Sequence, residues 1–284
     1  MRRGAVLVLL ALAFAAAACG GGSGEHRTAR TSTSATTTTT TASTSTTTTA
    51  PATTANRAPS TTTRTNPAPA ASGSLAGKTI AIDPGHNGAN GAHAAEIARP
   101  IFIGTQTRAC DNTGTETPDG YTESAYNLDV ALRLRDVLVA RGAHVVMTRT
   151  TNDGWGPCID TRAAIGNQAH ADGGPPNGRG FHVNTPALIP GYTDDIYAAS
   201  KRLGVDLRDA FVATGMPTST YLGSNGLVER RDFGGLNLSN VPKVLFETGN
   251  MRNATDAALL EDPAFRQRVA VGIADGIERF LAGG

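Results

Sequence analysis

The sequence predicts an α/β domain built on a parallel sheet, and three observations carry that prediction. Lys78 to Ile82 reads as a first strand, an apolar run that ends in Asp83-Pro84-Gly85-His86. Glu123 to Gly142 then reads as an amphipathic helix, with Leu128, Ala131, Leu132, Leu134 and Leu138 along its apolar stripe. Ala143 to Thr148, AHVVMT, comes next as a buried strand. Strand, helix and strand in that order make a right-handed βαβ unit, whose two strands run parallel.

The chain before this unit has a different character. There are 284 residues in all, 39% of them hydrophobic, and a net charge of +1. That is enough for one sizeable core, and it lacks the basic excess of a nucleic-acid binder. Residues 1–18 read as a secretory signal: Arg2 and Arg3 stand before an apolar run, Ala5 to Ala18, that is too short to span a membrane as an ordinary helix. The arginine pair is a weak twin-arginine hint. The ending Ala16-Ala17-Ala18-Cys19 resembles a bacterial lipobox, which implies cleavage before Cys19 and a diacylglyceryl anchor on it. The alternative is an ordinary signal peptide cut after a small residue. Residues 19–74 are almost all Thr, Ser, Ala, Pro and Gly, without an aromatic residue, so they cannot bury enough apolar surface to offset their ordering entropy. They are expected to be a disordered tether that tolerates O-glycosylation, and His26 within it is set aside. Residues 75–284 are the part that folds, one domain by its size.

Within that domain Asp83-Pro84-Gly85 ends the first strand as a ladder and delivers His86 just past it. Open α/β sheets bind ligands beyond the carboxyl ends of their strands, so His86 is a candidate metal ligand, with an incidental His beside a turn as the alternative. Asn87 to Tyr121 is long, aperiodic and rich in Gly, Thr and Asn, and it holds His93 and Cys110. A loop of that length in a compact domain is usually functional. Glu123 opens the helix, where a carboxylate is ordinarily a macrodipole partner. His144, at the start of the second strand, reads as structural. Asp160 to Ala169 reads as a helix after Cys158. Cys110 and Cys158 are the only cysteines of the exported domain, and an oxidising compartment favours their pairing over the alternative of two free buried thiols. The bridge would close a loop of roughly 50 residues and contribute about 4 kcal/mol on the chain-entropy model.

Gly178 to Asn184 reads as a strand with Phe181 and Val183 on one face and His182 on the other. Thr193 to Gly215 reads as a long amphipathic helix, and Leu227 to Asn240 as a polar loop with Arg230, Arg231, Asp232 and Asn237. Val241 to Glu247 is a strand that ends in a carboxylate, and Asp262-Pro263 caps a closing helix through Leu281. Two strands thus end in functional groups, His86 and Glu247. A carboxylate there, beside a metal, suits a general base; a salt-bridged strand end is the plainer reading.

Five stretches taken in order, AIDPGHNG, Glu123 with LRLRDVLVARGAHVVMTRT, RAAIGN, HADGGPPNGRGFHVN and LFETGNM, resemble the zinc-dependent N-acetylmuramoyl-L-alanine amidases of the amidase-3 family, closest to the mycobacterial branch. The resemblance covers essentially the whole folded domain. It implies a twisted, mostly parallel sheet flanked by helices, and zinc held by His86, Glu123 and a second histidine. It makes Glu247 the catalytic acid/base and the Cys110–Cys158 pair a shared feature of the branch. The substrate it implies is the amide bond between N-acetylmuramic acid and L-alanine in peptidoglycan. Zinc would supply a Lewis acid there, and Glu247 would carry the proton from water to the leaving amine.

The chain departs from the family pattern at one place. The family carries its second zinc histidine at the end of an apolar strand after the RAAIGN helix, whereas here Asn167-Gln168-Ala169-His170-Ala171-Asp172 joins that helix directly to the glycines. A strand of about eight residues is missing by this reading. The residues after His170 make it the third ligand; the residues before it make it the end of a helix. His170 is taken as the ligand, with His182 in reserve. Arg230 and Arg231 are candidates for peptide carboxylates, or a solvated charged loop. The expected partners are peptidoglycan or muropeptides and, through a lipid anchor on Cys19, the membrane; no nucleic acid is expected. The expected state is a monomeric enzyme exported to the cell envelope, on the outer face of the cytoplasmic membrane or in the periplasm. The competing readings are an envelope lipoprotein that binds the wall without turnover, its zinc site incomplete, and a different zinc hydrolase such as a carboxypeptidase.

Overall fold

A computed structural model describes residues 7–11, 73–165 and 168–283. In chain order its elements begin with β1 (Leu7–Ala11), β2 (Thr79–Pro84), α1 (Ala94–Ile97), β3 (Pro100–Phe102), β4 (Thr107–Ala109), α2 (Glu123–Ala140) and β5 (His144–Met147). They continue with α3 (Ile159–Ile165), β6 (Gln168–Asp172), β7 (His182–Pro186), α4 (Tyr197–Phe211), β8 (Leu227–Arg230), α5 (Gly234–Asn237), β9 (Lys243–Asn250), α6 (Ala254–Glu261) and α7 (Pro263–Ala282). The central sheet is ordered β5-β2-β6-β9-β7-β8, and every pairing in it is parallel except β7 with β9.

The expected βαβ unit forms as β2-α2-β5. α2 buries Tyr126, Val130, Ala131, Leu134 and Leu138; Leu128 and Leu132 lie half-buried at the flank of that stripe. The helix stops at Gly142, whose φ of 91° is a left-handed conformation that glycine adopts without a Cβ penalty. α7 starts as read, with the Asp262 side chain accepting from Ala264 N at 2.9 Å and Pro263 in the first turn. α2, α4 and α7 pack together over the sheet. Among the buried side chains there, Phe181, Phe211 and Phe246 meet edge to face, with ring centroids 4.6 to 5.8 Å apart.

Several boundaries differ from the sequence reading. β2 continues through Asp83 and Pro84, which pair with Gln168 and Ala169. Pro84 has no N–H to give, and its carbonyl is taken by Arg149 Nε and Arg162 Nη1 instead. The long loop is not structureless: it holds α1 and the β3–β4 hairpin. The polar stretch after Leu227 holds edge strand β8 and the short helix α5, and α6 is an element that the sequence reading lacks.

The largest correction concerns the helix read over Asp160 to Ala169. α3 ends at Ile165, and Gln168–Asp172 is strand β6, between β2 and β9. The strand that the sequence seems to lack is present, but it is short. β6 pairs with β2 only at Asp83 and Pro84, and with β9 at Phe246, Glu247 and Asn250. Below it the same position is taken by β1, which pairs with Thr79 to Ile82 of β2 and with Lys243 to Leu245 of β9. β1 and β6 therefore lie end to end as two pieces of one strand position. Leu7–Ala11 belongs to the apolar run of the segment read as a leader. Cys19 and the tether through residue 72 fall outside the described residues.

Candidate metal centre

The sheet's carboxyl edge gathers three of the four predicted site residues into one cluster. His86 leaves β2 at φ 56°, a left-handed conformation uncommon for a residue with a side chain, and this turns its imidazole over the strand end. Glu123 is the first residue of α2, and His170 sits in β6. One ligand atom from each lies within 4.8 Å of the others. His86 Nε2 is 3.2 Å and His170 Nδ1 is 2.7 Å from Glu123 Oε1, and the two rings meet edge to face at 4.5 Å. All three are at most 2% exposed.

Two glycines make room for this convergence. A Cβ on Gly85 would lie 2.1 Å from His170 Nε2, and one on Gly114, at φ 75°, would lie 2.7 Å from Glu123 Oε2. No larger residue leaves the rings and the carboxylate where they are. The donors fit a tetrahedral cation site: two imidazoles and a carboxylate, buried, with one position left over. The donor set therefore fits zinc.

His86 is also held from behind. Its Nδ1 faces Asp111 Oδ1 at 3.1 Å and the Asn112 carbonyl at 3.0 Å, which leaves Nε2 towards the cluster. Arg162, fully buried on α3, donates to Asp111 Oδ2 at 3.1 Å, to Asp83 Oδ1 at 2.5 Å and to the His86 carbonyl at 3.0 Å. Arg149 donates to the Gly85 and Ser124 carbonyls at 3.0 and 2.8 Å, tying the corner to α2. The Cys110–Cys158 disulfide, as read from the sequence, fastens the loop carrying Asp111 to the chain entering α3. Sequence reasoning misses Asp111, Arg149 and Arg162. The local signals are the cysteine beside Asp111 and the arginine inside RAAIGN.

The electrostatics of the cluster follow from its burial and from its neighbouring charges. Burial pushes the His86 imidazole down, but the carboxylates of Glu123 and Asp111 outweigh it and hold the ring up at about 10. Burial would raise the Glu123 carboxyl, yet His86 and His170 hold it far below the usual carboxylate range. His170 is pushed down to about 3 by burial and by His86. The site thus keeps one positive charge beside Glu123, by a proton on His86 or by a cation.

The fourth residue, Glu247, lies on β9 directly beside His170 and is 1% exposed. His182, the reserve ligand, pairs with Glu247 from the other side, on β7, and is not in the cluster. His93 stacks on Trp155 and is not in the cluster, and His144 is exposed at the start of β5. Arg230 is bound by Asp232 at 2.8 Å, and Arg231 is exposed.

Comparison with known proteins agrees with this geometry. The family model described as N-acetylmuramoyl-L-alanine amidase (amidase-3) matches residues 80–279. N-acetylmuramoyl-L-alanine amidase Rv3717 of Mycobacterium tuberculosis is 40% identical over 224 residues, which are 76% of this chain and 91% of that protein. The crystal structure of the amidase Ami1 from Mycobacterium smegmatis superposes with a TM-score of 0.69 at 40% identity, over 74% of this chain and 99% of the other. The apo form of Ami1 from Mycobacterium abscessus gives a TM-score of 0.68 at 37% identity, over 73% and 100%.

Proposed function

The chain belongs to the amidase-3 family of N-acetylmuramoyl-L-alanine amidases, and from that premise we propose that His86, Glu123 and His170 hold its zinc ion and Glu247 is its catalytic acid/base. The enzyme hydrolyses the amide between N-acetylmuramic acid and L-alanine in peptidoglycan. The observation that carries the assignment of roles is the register of β6 and β9, which sets Glu247 next to His170 and hence next to the metal cluster. When bound, zinc supplies a Lewis acid for the scissile carbonyl and makes water more acidic.

The chain's own groups do the rest. Glu247 takes a proton from the attacking water and returns it to the leaving nitrogen, which breaks the amide and frees the peptide as an amine. Asp111 orients His86, and the Arg162 guanidinium, paired with both Asp111 and Asp83, holds Asp111 in place. The burial of all four residues keeps the proton on this path rather than in bulk water.

The relatives' wall-amidase names support an exported, envelope-associated enzyme. Residues 1–18 act as a leader in this reading, with Cys19 lipidated and residues 19–74 as a tether that lets a monomeric domain reach the wall. Processing before Cys19 removes β1 and leaves its part of the strand position open. The reading of a wall-binding protein without turnover draws its support from a missing strand, and β6 withdraws that support. The test is turnover of a purified muropeptide by wild type and Glu247→Gln. The variant should keep its zinc and lose about 10²- to 10⁴-fold in rate. Equal rates would sink the assignment of Glu247, and a fragment cut elsewhere than at the lactyl amide, seen by mass, would indicate a peptidase.

A further inference from the structure

The sequence holds one tryptophan, Trp155, and the fold leaves it 42% exposed. A single apolar side chain in water needs no explanation by itself. This one, however, stands on a backbone fixed on both sides: the Gly154 carbonyl accepts from Ala89 N at 2.9 Å, and Gly156 N donates to Asn90 Oδ1 at 2.8 Å. The Gly156 and Pro157 carbonyls each accept from the buried Arg162 guanidinium at 2.7 Å. The ring itself stacks on His93, with centroids 5.4 Å apart and planes 22° from parallel. An aromatic side chain is thus held in place at the surface.

Trp155 lines an open cavity of about 600 Å³ with Arg99, Thr148, Thr161 and Ile165. That is the size of a small-ligand site, about 300–1,000 Å³. Ile165 is itself exposed, so the cavity presents two apolar side chains beside two hydroxyls and a guanidinium. Arg99 is paired with Asp160 at 3.6 Å, so the two charges at the rim offset each other. One segment joins this cavity to the metal centre. Asn87 and Gly88 line a second cavity, of about 410 Å³, together with Gly114, and Gly114 abuts the Glu123 carboxylate. The same segment, Asn87 to Asn90, holds the loop of Trp155, with Asn87 Nδ2 donating to the Gly156 carbonyl at 3.2 Å as well. The metal-side cavity and the Trp155 cavity are therefore neighbours across this segment.

We propose that the Trp155 cavity is an auxiliary site for the glycan strand, taking one acetamido sugar at a distance from the muramic acid whose amide is cut. The proposal rests on the amidase reading, in which the substrate is a sugar polymer and only one of its units reaches the metal. Neighbouring units lie along the surface beside the metal-side cavity, and the Trp155 cavity adjoins it there. The lining suits a pyranose: its C–H face lies flat on an aromatic ring, and its hydroxyls and acetamide exchange hydrogen bonds with Thr161 and Arg99 at the edge. A stem peptide would bring carboxylates, and Arg99 already has Asp160 beside it. Neither zinc binding nor the proton transfer uses Trp155.

Because Trp155 is the only tryptophan, its fluorescence reports on this site alone. The experiment is titration of the zinc-loaded protein with tri-N-acetylglucosamine, which lacks the lactyl amide, and separately with the dipeptide L-Ala-D-Glu. The emission should change saturably with the sugar and not with the dipeptide. In calorimetric titration with the same sugar, Trp155→Ala should bind about tenfold more weakly, and Trp155→Phe, which keeps a ring, within about threefold of wild type. No saturable change with the sugar, a response to the dipeptide instead, or Trp155→Ala within about twofold of wild type overturns the site. Wild type that cleaves a muropeptide but gives no sugar response keeps the amidase reading and loses the site. Wild type that binds the sugar but cleaves no muropeptide refutes the amidase reading alone.

Discussion

The two histidines of the metal cluster are chemically alike and structurally unequal. His86 lies just past a six-residue strand paired along its length, and its ring is held by Asp111, which is held by Arg162, which is fastened beside a disulfide. His170 sits in a five-residue strand whose position in the sheet is completed from below by Leu7–Ala11. Its imidazole is hydrogen-bonded to Glu123, itself a member of the cluster. One side of the site is therefore positioned whether or not metal is bound. The other depends on the sheet being whole, which places the weak point of this enzyme in β6 rather than in the DPGH corner.

The comparison can be sharpened by repairing the weaker side. Inserting five apolar residues of strand propensity between Asn167 and Gln168 would give β6 the length to fill its own position. In a chain that begins at Cys19, this should raise stability by several kcal/mol, because each buried aliphatic side chain contributes about 1.5–3 kcal/mol before its ordering cost. The same chain without the insertion should unfold at lower denaturant than the full-length protein, since it lacks β1. Equal midpoints for all three in urea would break the comparison.

The two imidazoles also titrate in opposite directions in metal-stripped protein. His86 is raised to about 10, so its contribution is complete below the unfolded value near 6.5 and is lost as pH rises towards 10. His170 is lowered to about 3, so its neutral form is favoured above about 6.5, and stability falls as pH drops from there towards 3. Glu123, depressed, adds to the loss on the acid side. Stability of the stripped protein should therefore fall as pH drops below about 6.5, measured as urea midpoints across pH; above pH 7 the loss from His86 is opposed by Lys243, which burial pushes down to about 7 and whose neutral form gains as pH rises. A profile that stays flat as pH drops from about 6.5 to about 4 would contradict the buried neutral His170 and ionised Glu123.

The smallest effect expected is on the well-held side. Asp111→Asn keeps the shape and removes the charge behind His86, and should weaken zinc about 10- to 100-fold in a competition titration with a chelator. An unchanged affinity would mean that Asp111 only closes the loop.

These differences also explain how much the residues alone reveal. β2, α2, β5 and the closing helix emerge from apolar periodicity and caps, His86 from a strand end, and the roles of Glu123 and Glu247 from the family resemblance; Glu247, read as the end of its strand, lies within β9, which runs on to Asn250. The pairing of Cys110 with Cys158 rests on their being alone in an exported domain. β6 is hidden because Gln168 to Asp172 has no apolar run: its pairing comes from the β2 and β9 neighbours, not from its own propensity. Asp111 and Arg162 are hidden because a buried ion pair is written in two places, 51 residues apart, each of which looks like a surface charge alone. Pro84 reads as the end of a ladder because proline ends most of them, and here two arginines take up its carbonyl.

The central claim is that His170, despite its short strand, completes the zinc site. Elemental analysis of purified wild type, His170→Ala, His182→Ala and Glu247→Gln tests it most directly. One zinc per chain in wild type, His182→Ala and Glu247→Gln, and none retained through dialysis by His170→Ala, is the predicted result. Full zinc in His170→Ala, or its loss from His182→Ala instead, would contradict it.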